Sequence, residues 1–307
     1  MSAVIAETRD HSQPFLIDAG AFRGRVVRLG PAIDGVLAGH DYPQAVASLL
    51  AETLALTATL AGALKFEGIF TLQIQADGAI PLIVADVTST GDLRGYARFD
   101  APKLEKALAR RGPTVPRLLG KGHLAFTIDQ GPDTDRYQGI VALSGDSLAS
   151  CAHRYFEQSE QLETAFKLAV CPPQDDAGWR AAAMMIQRMP VGPQSPIFTA
   201  EEAAESWNRA VILMDSAREN ELLGPDISVE TLLYRLYHAE GLQLHESRTL
   251  AARCRCSAER VTGTLKSFPR TEVESMRDDK GDVVVVCEFC KSRYVFADED
   301  LDRLYQS

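Results

Sequence analysis

Four cysteines near the end of the chain are the residues best suited to chemistry. Cys254-Arg255-Cys256 is followed, after thirty intervening residues, by Cys287-Glu288-Phe289-Cys290. Two close pairs of soft donors suit a tetrahedral zinc ion. Cys-x-x-Cys between Val283–Val286 and Tyr294–Phe296 has the form of a knuckle, a hairpin turn that aims both sulfurs at one point. Around Cys-x-Cys an extended backbone puts alternate side chains on one face, so both sulfurs reach the same ion. Between the pairs, Ser257 is placed to cap a short helix to Lys266, Pro269 breaks it, and Thr271-x-x-Glu274 is placed to cap another. Those two helices return the chain so that the pairs meet.

Four thiolates on a dication leave a net charge of −2. Arg253, Arg255, Arg260, Lys266, Lys291 and Arg293 lie near the ligands in sequence and are expected to offset that charge and favour thiolate over thiol. The plain reading is a structural zinc module. Thiolates are also the oxidisable form of cysteine, each sequence-adjacent pair can close locally on itself, and such closure expels the metal. Structural zinc contributes on the order of 10–16 kcal/mol in small modules, comparable with the stability of a whole domain. A terminal module that loses it is expected to lose its fold, which makes oxidation an unfolding switch.

The elements upstream must carry this module. Asp41-Tyr42-Pro43 is expected to open a long Ala- and Leu-rich helix, capped by Asp41, to about Leu64. The period then changes to two: Phe70, Leu72 and Ile74 alternate with polar residues, Ala76-Asp77-Gly78 turns the chain, and Ile80–Val87 follows, a hairpin signature. Leu93–Phe99, His123–Ile128, Tyr137–Leu143, Thr164–Val170 and Ala182–Met189 are further strands, the last open to a helical reading, and Ser147–Gln158 is helical. Strands joined by short turns favour a largely antiparallel or mixed sheet over a doubly wound one. Three prolines between Pro190 and Pro196 mark a boundary. Beyond it, Thr199-x-x-Glu202 is a capping box, and Trp207, Val211 and Met214 form an apolar stripe on a helix running to about Leu223. Ser228 is placed to cap a second helix through Tyr237. From Val191 to Arg253 there are 5 basic and 10 acidic residues, half of the chain's net charge, so this acidic segment is soluble yet presents a stripe that needs a partner surface.

Composition excludes several classes. The chain has 307 residues, 46% hydrophobic and 24% charged, an ordinary globular balance, and a net charge of −10 argues against sequence-independent nucleic-acid binding. Cys254–Ser307 carries 9 basic and 11 acidic residues, which disfavours nucleic acid for the module as well. Six cysteines are too sparse for a secreted disulfide framework. The longest uncharged apolar run, Thr53–Leu64, is too short for a membrane span, and the first ten residues lack the pattern of a signal peptide. A reducing cytoplasm is therefore expected. No Gly-rich phosphate loop is present, and the histidines, including His40 and His238, read as ordinary polar residues. Gly145-Asp146-Ser147-Leu148 mimics the nucleophile block of a serine esterase family, but no histidine has an Asp three residues before it, and Asp146 is more simply a helix cap. Cys151 reads as a buried inert thiol; Cys171 has no assignment.

The cysteine pattern resembles that of the 33 kDa chaperonin family, redox-regulated bacterial holdase chaperones. The likeness extends beyond the cysteines to His40-Asp41-Tyr42-Pro43, Leu64-Lys65-Phe66-Glu67-Gly68, Arg136-Tyr137-Gln138-Gly139-Ile140-Val141, Gly145-Asp146, Tyr155-Phe156, Arg235-Leu236-Tyr237-His238 and Cys287-Glu288-Phe289-Cys290, nearly the whole chain in order. It implies an α+β N-terminal domain (1–192), a helical linker folded over it (193–253) and a C-terminal zinc-binding redox domain (254–307). It implies Cys254, Cys256, Cys287 and Cys290 as ligands of one Zn2+ per chain, pairing on oxidation as Cys254–Cys256 and Cys287–Cys290. Release of zinc then unfolds the redox domain and linker and exposes apolar surface to unfolded client proteins. The resemblance further implies a cytoplasmic, ATP-independent protein with no enzymatic activity, no nucleic acid and no membrane, dimeric when oxidised. Residues before about His11 and Cys171 depart from the family pattern. The competing expectation is a constitutive zinc-ribbon interaction protein.

Overall fold

A computed structural model describes residues 10–18, 21–131, 134, 136–174, 177–190, 199–224 and 226–305. Strands β1 (His11–Ile17) and β2 (Phe22–Leu29) form an antiparallel hairpin, followed by helices α1 (Pro31–Leu37) and α2 (Gln44–Gly62). Strands β3 (Ile69–Ala76), β4 (Leu82–Thr88) and β5 (Asp92–Arg98) make a meander; α3 (Ala101–Leu108), β6 (Gly122–Asp129), β7 (Tyr137–Ala142), α4 (Leu148–Tyr155), β8 (Thr164–Cys171) and β9 (Arg180–Arg188) complete the body. The expected antiparallel or mixed sheet of this body is in fact two sheets. One runs β1-β2-β9-β8 and the other β5-β4-β3-β6-β7, both extended at one edge by short later strands.

Helix α2 lies between these sheets, packed on β2, β8 and β9 of one and on β3, β4 and β5 of the other. That position explains its composition: 14 of its 19 residues are buried, and a helix that is apolar all round must be covered all round. Its threonines are no exception, because Thr53, Thr57 and Thr59 return their hydroxyls to the carbonyls four residues back at 2.7, 2.6 and 2.8 Å. The apolar stretch is longer than the uncharged run suggested, since Glu52 sits within it. By length and composition α2 could cross a membrane, but it is the core helix of the fold.

Helices α5 (Ala200–Ser216), α6 (Glu219–Leu223) and α7 (Val229–Tyr237) pack on the opposite face of the first sheet. Trp207, Val211 and Met214 all join that layer, with the Trp207 ring 5.7 Å from Phe22. The capping box of α5 is complete, Thr199 Oγ1 accepting from Glu202 N and Glu202 Oε2 from Thr199 N. The helix stops at Ser216 rather than Leu223, because Ala217 is extended and α6 starts anew. The proline-rich boundary at 192/193 and the chain before Asp10 lie outside the described residues.

Short strands β10 (Gln243–Leu244), β11 (Arg248–Thr249) and β12 (Ala251–Ala252) lead into the cysteines. Helices α8 (Ala258–Lys266) and α9 (Arg270–Glu274), the hairpin β13 (Val283–Val286) and β14 (Arg293–Phe296), and α10 (Asp298–Tyr305) follow, with a separate small core of Leu265, Val273, Val283, Phe296, Leu301 and Leu304.

Three expected caps differ. Pro43, not Asp41, is the N-cap residue of α2, and it contributes no side-chain hydrogen bond. Ser147 rather than Asp146 caps α4, its Oγ accepting from Ser150 N at 3.2 Å. Helix α9 begins at Arg270 behind Pro269, so Thr271 falls inside it. Local spacing allows several start points, and the chain's entry path selects one.

Candidate metal centre

The four cysteine sulfurs lie within 4.8 Å of one another. Cys287 and Cys290 sit in the turn between β13 and β14, as the knuckle pattern requires. That turn is closed by Cys287 N to Ser292 O at 2.9 Å and Lys291 N to Cys287 O at 2.8 Å, with Lys291 in the left-handed region at φ 58°. Cys254 and Cys256 arrive on extended chain after β12, and Ser257 caps α8 by accepting from Arg260 N. Two sulfur contacts run between the pairs, Cys254 to Cys287 at 3.7 Å and Cys256 to Cys290 at 3.3 Å.

This donor set fits a tetrahedral dication. Ligand distances of about 2.3 Å give sulfur–sulfur edges of about 3.8 Å in such a site, which the cluster approximates. The electrostatics agree. Burial foremost, with the neighbouring sulfurs adding to it, pushes the Cys256 thiol up to about 12 against a hydrogen bond with Tyr294. Burial likewise raises Cys287. At Cys290 burial is outweighed by the Ser292 hydroxyl and amide and by the other sulfurs, which hold it down at about 6. Without a cation the cluster thus holds one thiolate readily while two of its neighbours resist ionisation; a divalent ion supplies the charge that four thiolates need.

Three of the flanking basic residues expected to offset that charge pair with carboxylates instead. Arg253 pairs with Asp92 at 3.5 Å, Arg255 with Asp86 at 2.8 Å and Lys291 with Glu288 at 3.1 Å. They are spent on carboxylates, and two of those carboxylates belong to the second sheet.

The residues between the ligands therefore dock the cluster. Asp86 on β4 is buried and receives both Arg255 and Arg94, the latter through Nε at 3.0 and 3.2 Å. The Arg255–Asp86 contact is an ion pair without aligned hydrogen bonds, and Arg255 Nη1 has no hydrogen-bond partner among the described residues. Arg94 also lays its guanidinium 3.8 Å over the Phe289 ring, which meets Tyr96 edge-on at 4.8 Å. His40 Nε2 lies 2.9 Å from Phe289 O and its ring stacks on Tyr42 at 4.5 Å. Gly39 backs onto the knuckle so closely that a Cβ there would stand 2.9 Å from Cys290 O. One patch on β4, β5 and the α1–α2 connection thus holds the middle residues of both cysteine pairs. Sequence reading missed His40, Asp86, Arg94, Tyr96 and Phe289 in this role, because no spacing rule links residues so distant in the chain.

Cys151 is fully buried, its thiol raised by burial, as expected of an inert position. Cys171 is half-buried at the end of β8, 3.7 Å from Arg180 Nη2, and does not join the cluster.

A two-sheet α+β body with a small four-thiol unit docked on one sheet is the class these features define. The family described as Hsp33 protein matches residues 10–297. A 33 kDa chaperonin from Caulobacter vibrioides is 42% identical over 285 residues, covering 91% of this chain and 92% of that protein. A second, from Ectopseudomonas mendocina, is 40% identical over 297 residues, covering 96% and 95%. The crystal structure of the 33 kDa chaperonin from Thermotoga maritima has a TM-score of 0.78, covering 97% of this chain and 98% of that one, at 22% identity, a likeness of fold. The chain belongs to the Hsp33 family. That membership supports a chaperone function, and the relatives are named as chaperonins rather than enzymes.

Proposed function

We propose that this chain is a redox-regulated, ATP-independent holdase of the cytoplasm, organised as a client-binding domain (1–192), a metastable helical linker (193–253) and a redox domain (254–307). Cys254, Cys256, Cys287 and Cys290 hold one Zn2+ in the reduced, inactive form. The observation that carries this reading is the convergence of four sulfurs whose intervening residues, Arg255 and Phe289, are the contacts that dock the unit. In each pair, two thiols lose two electrons and two protons to an oxidant such as peroxide, which is reduced to water. The products are Cys254–Cys256 and Cys287–Cys290. No thiolate then remains to hold the ion, the small core of the redox domain loses its main support, and the docking contacts go with it. The linker follows, the uncovered surface binds unfolding proteins, and the oxidised chain forms a homodimer.

The test is aggregation of a heat-unfolding client followed by light scattering. Zinc-loaded reduced chain is compared with chain treated with peroxide at mild heat or with hypochlorous acid. Suppression of scattering by the oxidised form alone, reversed by reductant, is the expected result. Retention of zinc under oxidant, with no chaperone activity in either form, would overturn the proposal in favour of a constitutive zinc-ribbon protein.

A further inference from the structure

The residues just before the first cysteine cover one edge of each sheet. Strands β10 and β11 pair antiparallel with the outer edge of β1, Leu244 opposite Phe15 and Arg248 opposite Ser12. Strand β12 pairs parallel with the outer edge of β5, Ala251 opposite Asp92 and Ala252 opposite Leu93. Cys254 lies two residues further on.

This cover is held mainly by its backbone. His245 N donates to Pro14 O at 3.1 Å, Leu250 N to Asp10 O at 2.9 Å, Ala251 N to Gly91 O at 3.0 Å and Arg253 N to Leu93 O at 2.9 Å. Side chains 243–249 are all exposed, and Leu250 is the one fully buried anchor between Gln243 and Arg253. The register also slips: from 244 to 248 the cover advances four residues while β1 advances three, a bulge that interrupts the ladder. Two-residue strands with a bulge between them are weak pairings.

An open sheet edge is a template for any extended chain, because its N–H and C=O groups pair without regard to side chains. Here the template already seats an extended segment whose side chains, Leu250 and Ala251 apart, face solvent, so the seat selects mainly for backbone and tolerates sequence. That is the chemistry an unfolded polypeptide offers. We propose that the outer edges of β1 and β5, uncovered when residues 243–253 leave, bind extended segments of unfolded client chains as added β-strands. The proposal rests on the redox-controlled chaperone reading, which supplies the release: disassembly of the cysteine cluster removes the downstream anchor of the cover.

The test uses full-length chain, reduced or activated by peroxide at mild heat, and two extended decapeptides of alternating threonine and valine with terminal lysines. One peptide is unmodified; the other is N-methylated at alternate residues, which keeps its side chains but removes one row of N–H donors. Activation is expected to speed amide hydrogen exchange at Ser12, Leu16 and Leu93, which share the outward register of Asp10, Pro14 and the Leu93 carbonyl, by at least ~10-fold, and the unmodified peptide to reverse this. N-methylation is expected to weaken binding by about 10-fold or more. Equal binding of both peptides, or edges that stay protected after activation, would overturn the edge proposal while leaving the chaperone reading intact. Edges re-protected in a concentration-dependent dimer without peptide would overturn it by assigning them to a second copy. Failure of the activated chain to bind the unmodified peptide while it still suppresses client aggregation counts against the edges; failure of both removes the chaperone reading itself.

Discussion

Arg255, the residue between two cysteines of the metal centre, reaches across to Asp86 on β4 with its Nη2 2.8 Å from Oδ1, and both side chains are largely removed from solvent. The peptide that positions two sulfurs is therefore anchored in the opposite unit by a buried charge pair. Removing one partner of such a pair leaves the other uncompensated, which is far worse than losing an exposed salt bridge. Asp86→Ala strands both Arg94 and Arg255 and is expected to cost about 3–5 kcal/mol. Arg255→Ala leaves Asp86 with Arg94 and is expected to cost less, about 1–2 kcal/mol. Urea unfolding gives the stabilities, and alkylation of the four cysteines in the reduced chain is expected to speed up in the same order.

Phe289→Ala removes the ring that Arg94 covers and Tyr96 meets edge-on. The loss is expected to be about 1–3 kcal/mol of docking, with the four sulfurs untouched. Metal content per chain should stay the same while release to a competing chelator accelerates about 10-fold or more. An unchanged release rate would mean that docking and metal retention are uncoupled.

Gly39→Val tests the same contact from the other side. The added Cβ has no room against Cys290 O, and a backbone carbonyl yields less readily than a flexible side chain. Weakened docking is expected, seen as faster amide exchange in residues 287–293, with little change in β2, β8 and β9.

Burial raises the Glu52 carboxyl on α2 to about 7. Between the ordinary value near 4.5 and about 7, the native state holds a proton that the unfolded chain has released, so stability falls as pH rises through this window. Its contribution is fully present below that window and lost above it, a change of at most ~3 kcal/mol. Glu52→Gln is expected to raise the melting temperature at pH 8 and to change it little at pH 4.5. A variant with the same gain at both pH values would show that burial of the charge is not the cause.

Trp207 reports on the helical layer, since its ring packs against Phe22. In a Trp179→Phe background its fluorescence is expected to move to longer wavelength on peroxide activation and to return on reduction. A constant spectrum would mean that α5 keeps its place on the first sheet.

Much of this was legible in the residues. The cysteine spacing marks a metal centre because two ligand pairs are local features, each set by a few neighbouring dihedrals. Period-two runs located most of the second sheet, and the Thr199–Glu202 box located the start of α5, for the same reason. Other features were not legible. The sequence reading named neither β1, β2 nor α1. It expected a continuous helix to Leu223, and three caps one or two residues from their places, because a cap depends on the path by which chain enters the helix.

What the sequence determined by itself is chemistry and local geometry: four soft donors in two pairs, an all-apolar helix that must be covered, and an acidic segment with one apolar stripe. Only the tertiary structure decided where these meet. Long-range packing brought His40, Asp86, Arg94 and Tyr96 beneath the cysteine pairs and spent Arg253 and Arg255 on carboxylates rather than sulfur. It also laid residues 243–253 along the edges of both sheets. Contacts between residues far apart in the chain are fixed by how whole faces pack, and no local periodicity encodes them.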